Sequence, residues 1–141
     1  MGHHIGNDIK CEIPWAIEHG TGQEGGRANE ERSEPEHSAD ILATSKSILK
    51  GFLNGAERVT INSYHHQHIV IVKSARYPLE LAAFSSRDGV TEALESPNGA
   101  ILLLQFHPEY MQDLPIGRVL MARLTEFLTP MYGCVRQILR F

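Results

Sequence analysis

The chain has few cysteines and no long apolar run, and each shortage excludes a class of protein. Only Cys11 and Cys134 occur among its 141 residues, far apart and without CxxC spacing. This pattern favours reduced thiols over a disulfide framework or a thiolate zinc site. No apolar run reaches the roughly eighteen residues that span a bilayer, and no basic segment followed by an apolar one stands at the amino terminus. We therefore expect a cytoplasmic protein that does not enter a membrane.

Positive charge is neither abundant nor concentrated in this chain. Thirteen lysines and arginines face seventeen aspartates and glutamates, for a net charge of −4, and the basic residues are scattered. A chain without a basic stripe lacks the electrostatic surface that binds phosphate backbones, so nucleic acid is not expected as a partner. The length and the 42% apolar share fit one domain with one modest core.

The first half of the chain predicts a loop and one short helix. Residues 20–36 combine glycine and charge with almost no apolar side chains, and we expect a mobile loop because such a segment buries too little surface to offset its ordering entropy. The segment HSADILA, residues 37–43, favours an extended backbone. The segment TSKSILKGFL, residues 44–53, favours one or two helical turns with Thr44 or Ser45 as the N-cap.

From residue 58 onward the pattern predicts strands. Apolar residues alternate in RVTINS, residues 58–63, as in a half-buried strand. Residues 79–86 and 90–96 flank an Asp-Gly turn, which predicts an antiparallel hairpin. The unbroken apolar character of residues 100–106, AILLLQF, is typical of a strand that is covered on both faces.

The last predicted element is an amphipathic helix over residues 115–128. It should begin near Pro115 and end before Pro130, and it should cover one face of the sheet. Its apolar side carries Leu120, Leu124, Phe127 and Leu128.

A histidine and a glutamate stand where the apolar strand ends. His107 and Glu109 are two residues apart, and Pro108 biases His107 toward an extended backbone, so the two side chains can be neighbours. A carboxylate beside an imidazole fixes its tautomer and stabilises the imidazolium, as in the base half of a nucleophilic triad. The alternative is that His107 only ends a strand while Glu109 is solvated.

Three segments together resemble the class I glutamine amidotransferase-like superfamily, in its branch of gamma-glutamyl-gamma-aminobutyrate hydrolases. They are QFHPE at residues 105–109, NSYHHQ at residues 62–67 and DGVTEALE at residues 88–95. Order and spacing agree with that branch over residues 37–128. The resemblance implies an α/β fold, a partial three-layer flavodoxin-like amidotransferase fold with a mixed sheet and an antiparallel hairpin. Residues 1–141 would form a single incomplete domain that lacks the N-terminal strands and the nucleophile elbow.

The resemblance also implies a mechanism and a substrate class. A cysteine thiolate would attack the side-chain amide of a small gamma-glutamyl substrate, His107 would move the protons, and Glu109 would hold His107. The substrate pocket would be lined by the second motif, and no cofactor would be needed. The residues implied for substrate binding are Ser63, His65, His66 and Gln67.

The nucleophile that the family requires is missing from this sequence. No G-x-C-x-G string occurs, and neither Cys11 nor Cys134 has a glycine two residues away on both sides. We therefore expect the chain to be inactive alone. An N-terminal half or a homo-oligomer would cover the sheet that the missing strands leave exposed, and the third alternative is a loosely folded, unstable chain.

Two alternatives to a hydrolase fragment stay open. The chain could be a non-catalytic remnant that binds a ligand or a protein. A metal site is the less favoured alternative, because His66 and His68 share a strand face and His107 could join them, although structural zinc sites usually use four cysteine or histidine ligands.

Overall fold

Short strands and three helices make up the described part of the chain. A computed structural model describes residues 4–17, 19, 37–41, 47–71 and 78–138. In chain order the elements are β1 (His4–Asp8), α1 (Ile9–Glu12), β2 (His37–Ile41), α2 (Ile48–Phe52), β3 (Arg58–Ile61), β4 (Gln67–Val70), β5 (Glu80–Ser85), β6 (Thr91–Glu95), β7 (Leu102–Leu104), a 3-10 turn (Pro108–Tyr110) and α3 (Pro115–Ile138).

The strands form two sheets. Five strands pair in the order β3-β2-β5-β6-β7, and β1 pairs with β4 in a separate two-stranded sheet. Every pair among the described strands is antiparallel. The predicted α/β class is confirmed, and so are the predicted strands at β2 and β3. The mobile loop predicted for residues 20–36 lies outside the described residues.

The hairpin β5–β6 forms where the Asp-Gly turn predicts it. Gly89 has a φ of 77°, a left-handed conformation that favours glycine, and its N–H donates to the carbonyl of Ser85 at 2.8 Å. The Asp88 side chain accepts from the N–H of Val90 at 3.2 Å. All five residues of β6 are buried, so both faces of this strand are covered, and β5 and β7 pair with its two edges. The hairpin therefore places Asp88 and the buried side chains of β6 at fixed positions.

The N-terminus of α2 is bound by a side chain from the neighbouring strand β6. Ser47 is the N-cap of α2, so the prediction of Thr44 or Ser45 as the cap is wrong. Glu95 at the end of β6 accepts hydrogen bonds from the Ser47 hydroxyl at 3.2 Å and from the N–H of Ile48 at 3.0 Å. A carboxylate at this position accepts hydrogen bonds from the unpaired N–H groups of the first turn, and its negative charge interacts favourably with the positive end of the helix dipole. Glu95 thus joins α2 to the sheet.

The apolar strand β7 is less covered than its sequence predicts. It stands at one end of the strand order, and the exposed fractions of Ile101 and Leu103 are 46% and 41%. The prediction that residues 100–106 are covered on both faces is therefore wrong for the described part of the chain. The outer edge of β7 faces no further strand among the described residues.

The last helix starts as predicted and continues further. It begins at Pro115 but runs through Pro130 to Ile138, because one proline removes a single helical hydrogen bond without ending the rest of the ladder. Leu120 is buried in the core, whereas Leu128 is 42% exposed. A Cβ at Gly117 would collide with the backbone of Met111, so glycine lets α3 pack closely against the segment that follows the 3-10 turn.

Two apolar clusters hold the described elements together, and the smaller one joins Ile9, Ala16 and Val90. The larger core lies between the five-stranded sheet and the two helices α2 and α3, and side chains from each of them line it. The residues of this larger core with the largest buried side chains include Leu49, Ile61, Met111 and Leu120.

Within the described segments, no helix has the length and apolar character needed to cross a membrane.

Candidate active site

His107 and Glu109 form a half-exposed pair at the end of β7. The His107 Nδ1 atom lies 2.8 Å from Glu109 Oε1, and the exposed fractions of the two side chains are 42% and 48%. His107 has a φ of −113° and caps the 3-10 turn, so Glu109 lies in that turn and not on a continued strand. The two side chains are neighbours, as their two-residue spacing predicts. Solvent has access to both of them.

The carboxylate of this pair is held in its charged form. Partial burial opposes ionisation of Glu109, but the hydrogen bond from His107, with smaller help from the backbone, outweighs it and lowers the pKa of Glu109 below its ordinary value. An ionised carboxylate accepts the proton on His107 Nδ1, which leaves a lone pair on Nε2. Such an arrangement can act as an oriented general base.

Asn62 fixes the backbone that presents His107. Its Nδ2 donates to the carbonyl of His107 at 2.9 Å, and its Oδ1 accepts from the N–H of His107 at 2.9 Å. The Asn62 side chain is fully buried. Two hydrogen bonds from one amide hold both polar backbone groups of a single residue, so the loop after β3 sets the position of the strand end. The sequence predicts Asn62 only as part of the motif that lines the substrate pocket and gives no sign of these two hydrogen bonds.

The four residues predicted to bind substrate divide into two groups. Ser63 and His65 are buried, whereas His66 and Gln67 are exposed. The side chain of His66 is 75% exposed and lies 3.7 Å from the carboxylate of Asp8. The structure therefore brings only part of the motif to the surface near the end of β7. Substrate binding by these residues stays a prediction.

The two sequence motifs are joined through Gln67. Its carbonyl accepts a hydrogen bond from the side chain of Gln105 at 3.2 Å and is 3.0 Å from His65 Nδ1. The carbonyl of His66 accepts from the N–H of Ile9 at 2.8 Å. These bonds satisfy the backbone of residues 62–67 and fix the segment beside the His107 turn.

Two tyrosine rings lie near the His107 ring. The ring centroids of Tyr110 and Tyr64 are 5.5 Å and 6.5 Å from that of His107. Aromatic neighbours at these distances restrict the orientation of an imidazole without blocking its nitrogens. Sequence reasoning assigned no role to Tyr64, and the structure places it beside the candidate base.

A second histidine–carboxylate cluster lies inside the fold. His19 Nε2 is 2.8 Å from Asp88 Oδ2, its Nδ1 is 3.1 Å from Ser63 Oγ, and Ser63 Oγ donates to the carbonyl of His19 at 2.7 Å. His65 and Glu92 complete the group, with His65 Nε2 at 3.5 Å from Glu92 Oε2. Sequence reasoning missed His19, because no local pattern connects it to residues about seventy positions away.

The charges in this buried cluster are set by their surroundings. Burial raises the pKa of Asp88, but the neighbouring Ser85 hydroxyl, the His19 ring and the amides of Ile17 and Val90 favour the anion and lower the pKa to about 2. Burial is also the main influence on His19 and lowers its pKa, although Asp88 acts in the opposite direction. At neutral pH an ionised Asp88 therefore faces a neutral His19.

The histidines of the metal alternative are not brought together among the described residues. His66 lies near Asp8, His68 is 2.8 Å from Glu12, and His107 pairs with Glu109. The group whose ligand atoms converge within the described segments is a different one, His19, His65 and Glu92.

Comparisons with known proteins match the sequence motifs and the fold to known relatives. The family model of peptidase C26 matches residues 9–109, which include all three sequence motifs. No curated protein sequence matches the chain.

A solved structure shows where the fold belongs. A Thermoplasma acidophilum protein, described as a subunit of GMP synthase, superposes with a TM-score of 0.51 at 18% sequence identity. The match covers 74% of this chain and 50% of that protein, so the present sequence spans about half the length of this neighbour. The fold is glutamine amidotransferase-like. Since the family model covers well over half of the sequence, the chain belongs to the peptidase C26 family of class I glutamine amidotransferase-like proteins.

Proposed function

We propose that the chain is the C-terminal part of a cysteine-dependent gamma-glutamyl amide hydrolase, similar to the gamma-glutamyl-gamma-aminobutyrate hydrolases. The single observation that carries the proposal is the half-exposed pair in which His107 Nδ1 lies 2.8 Å from Glu109 Oε1. The peptidase C26 match supports hydrolase or amidotransferase chemistry in general. The gamma-glutamyl substrate is the finer part of the proposal and rests on the resemblance of the three motifs.

The proposed chemistry assigns one proton path to His107. Nε2 takes the thiol proton as sulfur attacks the gamma-carbonyl carbon, and it gives that proton to the leaving amine as the C–N bond breaks. A water molecule then attacks the thioester, His107 accepts its proton, and glutamate and the free thiol are released. Glu109 stays ionised throughout and stabilises the imidazolium. Asn62 keeps the His107 backbone in place for both steps.

The nucleophile is proposed to come from another polypeptide segment. No cysteine in the 141 residues lies in a G-x-C-x-G string. The outer edge of β7, with the exposed Ile101 and Leu103, is the proposed docking edge for a strand that carries such a turn. A second copy of this chain would cover the same edge but would bring no cysteine turn.

A mixing experiment tests the proposal. The full chain is assayed for glutamate release from gamma-glutamyl-gamma-aminobutyrate, alone and after mixing with a polypeptide that contains the N-terminal strands and cysteine turn of a family member. We expect no release by the lone chain and release by the mixture. His107→Ala should abolish the release, whereas His68→Ala, a histidine paired with Glu12 outside the dyad, should not.

Two results would contradict the proposal. Release by the lone chain would show that the nucleophile lies within these residues, and release that survives His107→Ala would remove the dyad from the reaction. Binding of the substrate without release in the mixture would instead favour the non-catalytic alternative.

A further inference from the structure

Three potential metal ligands converge in the interior, away from the His107–Glu109 pair. His19 Nδ1 is 3.5 Å from Glu92 Oε1, and His65 Nε2 is 3.5 Å from Glu92 Oε2. One ligand atom from each of the three residues lies within 4.8 Å of the others. The exposed fractions of the three side chains are 1%, 8% and 0%, so water does not surround them.

The outer nitrogens of both imidazoles are occupied by acceptors. Asp88 Oδ2 lies 2.8 Å from His19 Nε2, and the carbonyl of Gln67 lies 3.0 Å from His65 Nδ1. Because a carboxylate or carbonyl oxygen needs a proton from its partner, each neutral ring carries its hydrogen on that outer nitrogen. The lone pairs of His19 Nδ1 and His65 Nε2 therefore point toward Glu92. In known metal sites, the histidine ligands are oriented in the same way, by a carboxylate or carbonyl that accepts the N–H of the nitrogen that does not bind the metal.

The hydrogen bonds around the inner atoms leave one buried ring nitrogen to be accounted for among the described residues. The Ser63 hydroxyl has one proton, and its carbonyl acceptor on His19 is closer, at 2.7 Å, than His19 Nδ1 at 3.1 Å. Among the described residues, His65 Nε2 is a buried nitrogen without a hydrogen bond. A buried ring nitrogen without a hydrogen bond is costly unless a cation or a proton lies next to it.

The distances suit a tetrahedral ion. With metal–nitrogen and metal–oxygen bonds of about 2.0–2.2 Å, neighbouring ligand atoms lie about 3.3–3.6 Å apart. The two histidine–glutamate separations, each 3.5 Å but to different oxygens of Glu92, fall in this range. One ligand atom from each of the three residues lies within 4.8 Å of the others, so the ligands would have to move closer together around a bound ion. Two imidazoles and a carboxylate form a ligand set that favours Zn²⁺ over Ca²⁺ or Mg²⁺, which prefer oxygen ligands.

We propose that His19, His65 and Glu92 form a buried binding site for one divalent transition-metal ion, with Zn²⁺ the best match to the ligand set. The three ligands come from the segment after α1, from the loop between β3 and β4, and from β6. An ion at this point links parts of the chain that are far apart in sequence, so its binding energy adds to the stability of the fold. The site shares His65 with the residues predicted to bind substrate, but it uses neither His107 nor Glu109.

Metal content and affinity test the site. The full wild-type chain is stripped with a chelator and then titrated with Zn²⁺ in competition with a chromophoric chelator. We expect one bound Zn²⁺ per chain and a higher melting temperature with the ion. Glu92→Gln, which keeps the shape of the side chain, should weaken binding by more than about 100-fold, and Asp88→Asn, behind His19, by about 10- to 100-fold.

Two surface variants serve as matched controls. His66→Ala removes an exposed histidine next to His65, and Cys11→Ser removes an exposed thiol, so neither should change the affinity. If a ligand variant does not fold, the ring nitrogens of the wild type decide the question: Zn²⁺ must shift the signals of His19 Nδ1 and His65 Nε2. Absence of stoichiometric Zn²⁺ in the wild type, loss of Zn²⁺ in either control, or a shift confined to surface histidines would overturn the proposal.

Discussion

Two histidine–carboxylate groups of this protein have similar chemistry but opposite surroundings. His107 and Glu109 are close to half exposed and lie two residues apart, whereas His65 and Glu92 are buried and twenty-seven positions apart in the sequence. Solvent reaches the exposed pair and screens its charges, so removing a charge there should cost the fold little. The buried group is not screened in this way, and a change in its charge should disturb the fold. The exposed pair is therefore the group that a substrate can reach, and the buried group is the one on which stability should depend.

The largest expected effect separates activity from stability at the exposed pair. Glu109→Gln keeps the shape of the side chain but removes the charge that orients His107. In the mixture with the cysteine-bearing polypeptide, kcat should fall by about 10²- to 10⁴-fold. The free energy of unfolding of the chain should change by less than about 1 kcal/mol, because the carboxylate is half exposed. Unchanged kcat would mean that Glu109 does not orient the base.

The next effect concerns the stability that the buried carboxylate confers. Glu92→Ala should lower the free energy of unfolding by about 3 kcal/mol or more, since it leaves two buried imidazoles without their shared partner. Glu109→Ala is the matched control at the exposed pair and should cost less than about 1 kcal/mol. Urea unfolding of both variants gives the comparison. Equal losses would show that burial does not distinguish the two groups.

Acid should weaken the buried cluster in a defined pH window. The pKa of Asp88 falls from an ordinary 3.8 to about 2 in the folded chain, so its stabilising contribution is complete above about pH 4 and is lost as the pH falls through about 2. The shift corresponds to about 2 kcal/mol. Asp88→Asn should remove this part of the acid dependence, measured by urea unfolding from pH 5 to pH 2. Identical pH profiles for the variant and the wild type would contradict a stabilising role of the ionised Asp88.

The smallest effect comes from a surface ion pair whose contact is shorter than the 3.5 Å contacts of Glu92. Arg58 Nε lies 2.7 Å from Asp40 Oδ1 across the paired strands β2 and β3, yet the Arg58 side chain is 68% exposed. Because water screens this pair, Arg58→Ala should cost less than about 1 kcal/mol, and added salt should reduce even that difference. A cost as large as that of Glu92→Ala would mean that distance, not burial, decides these energies.

Local patterns account for the parts of the fold that the sequence predicts. The Asp-Gly turn predicts the β5–β6 hairpin and the alternation in residues 58–63 predicts β3, because turn geometry and side-chain period act within a few residues. The pairing of His107 with Glu109 is local in the same sense. The end of α3 is not predicted, since Pro130 removes one hydrogen bond of the helix and the backbone ladder continues beyond it.

The parts that depend on distant segments could not be predicted from one sequence. His19 meets Asp88 and Ser63 only after the hairpin and the loop before β4 have folded against it, and nothing in its neighbouring residues indicates a polar partner. The apolar run of β7 indicates burial but not which segment provides the cover, so the expectation of an exposed sheet came only from the resemblance and not from this run. Polar residues that meet only through tertiary contacts can be recognised as a group only in the three-dimensional structure.

The central claim is that Glu109 holds His107 with its proton on Nδ1 and leaves Nε2 for proton transfer. Long-range proton–nitrogen NMR of the histidine rings, recorded at a pH where His107 is neutral, tests it directly. The account predicts a protonated Nδ1 and a bare Nε2 in the wild type, and loss of that preference in Glu109→Ala. A ring with its proton on Nε2, or a tautomer that does not respond to removal of Glu109, would contradict it.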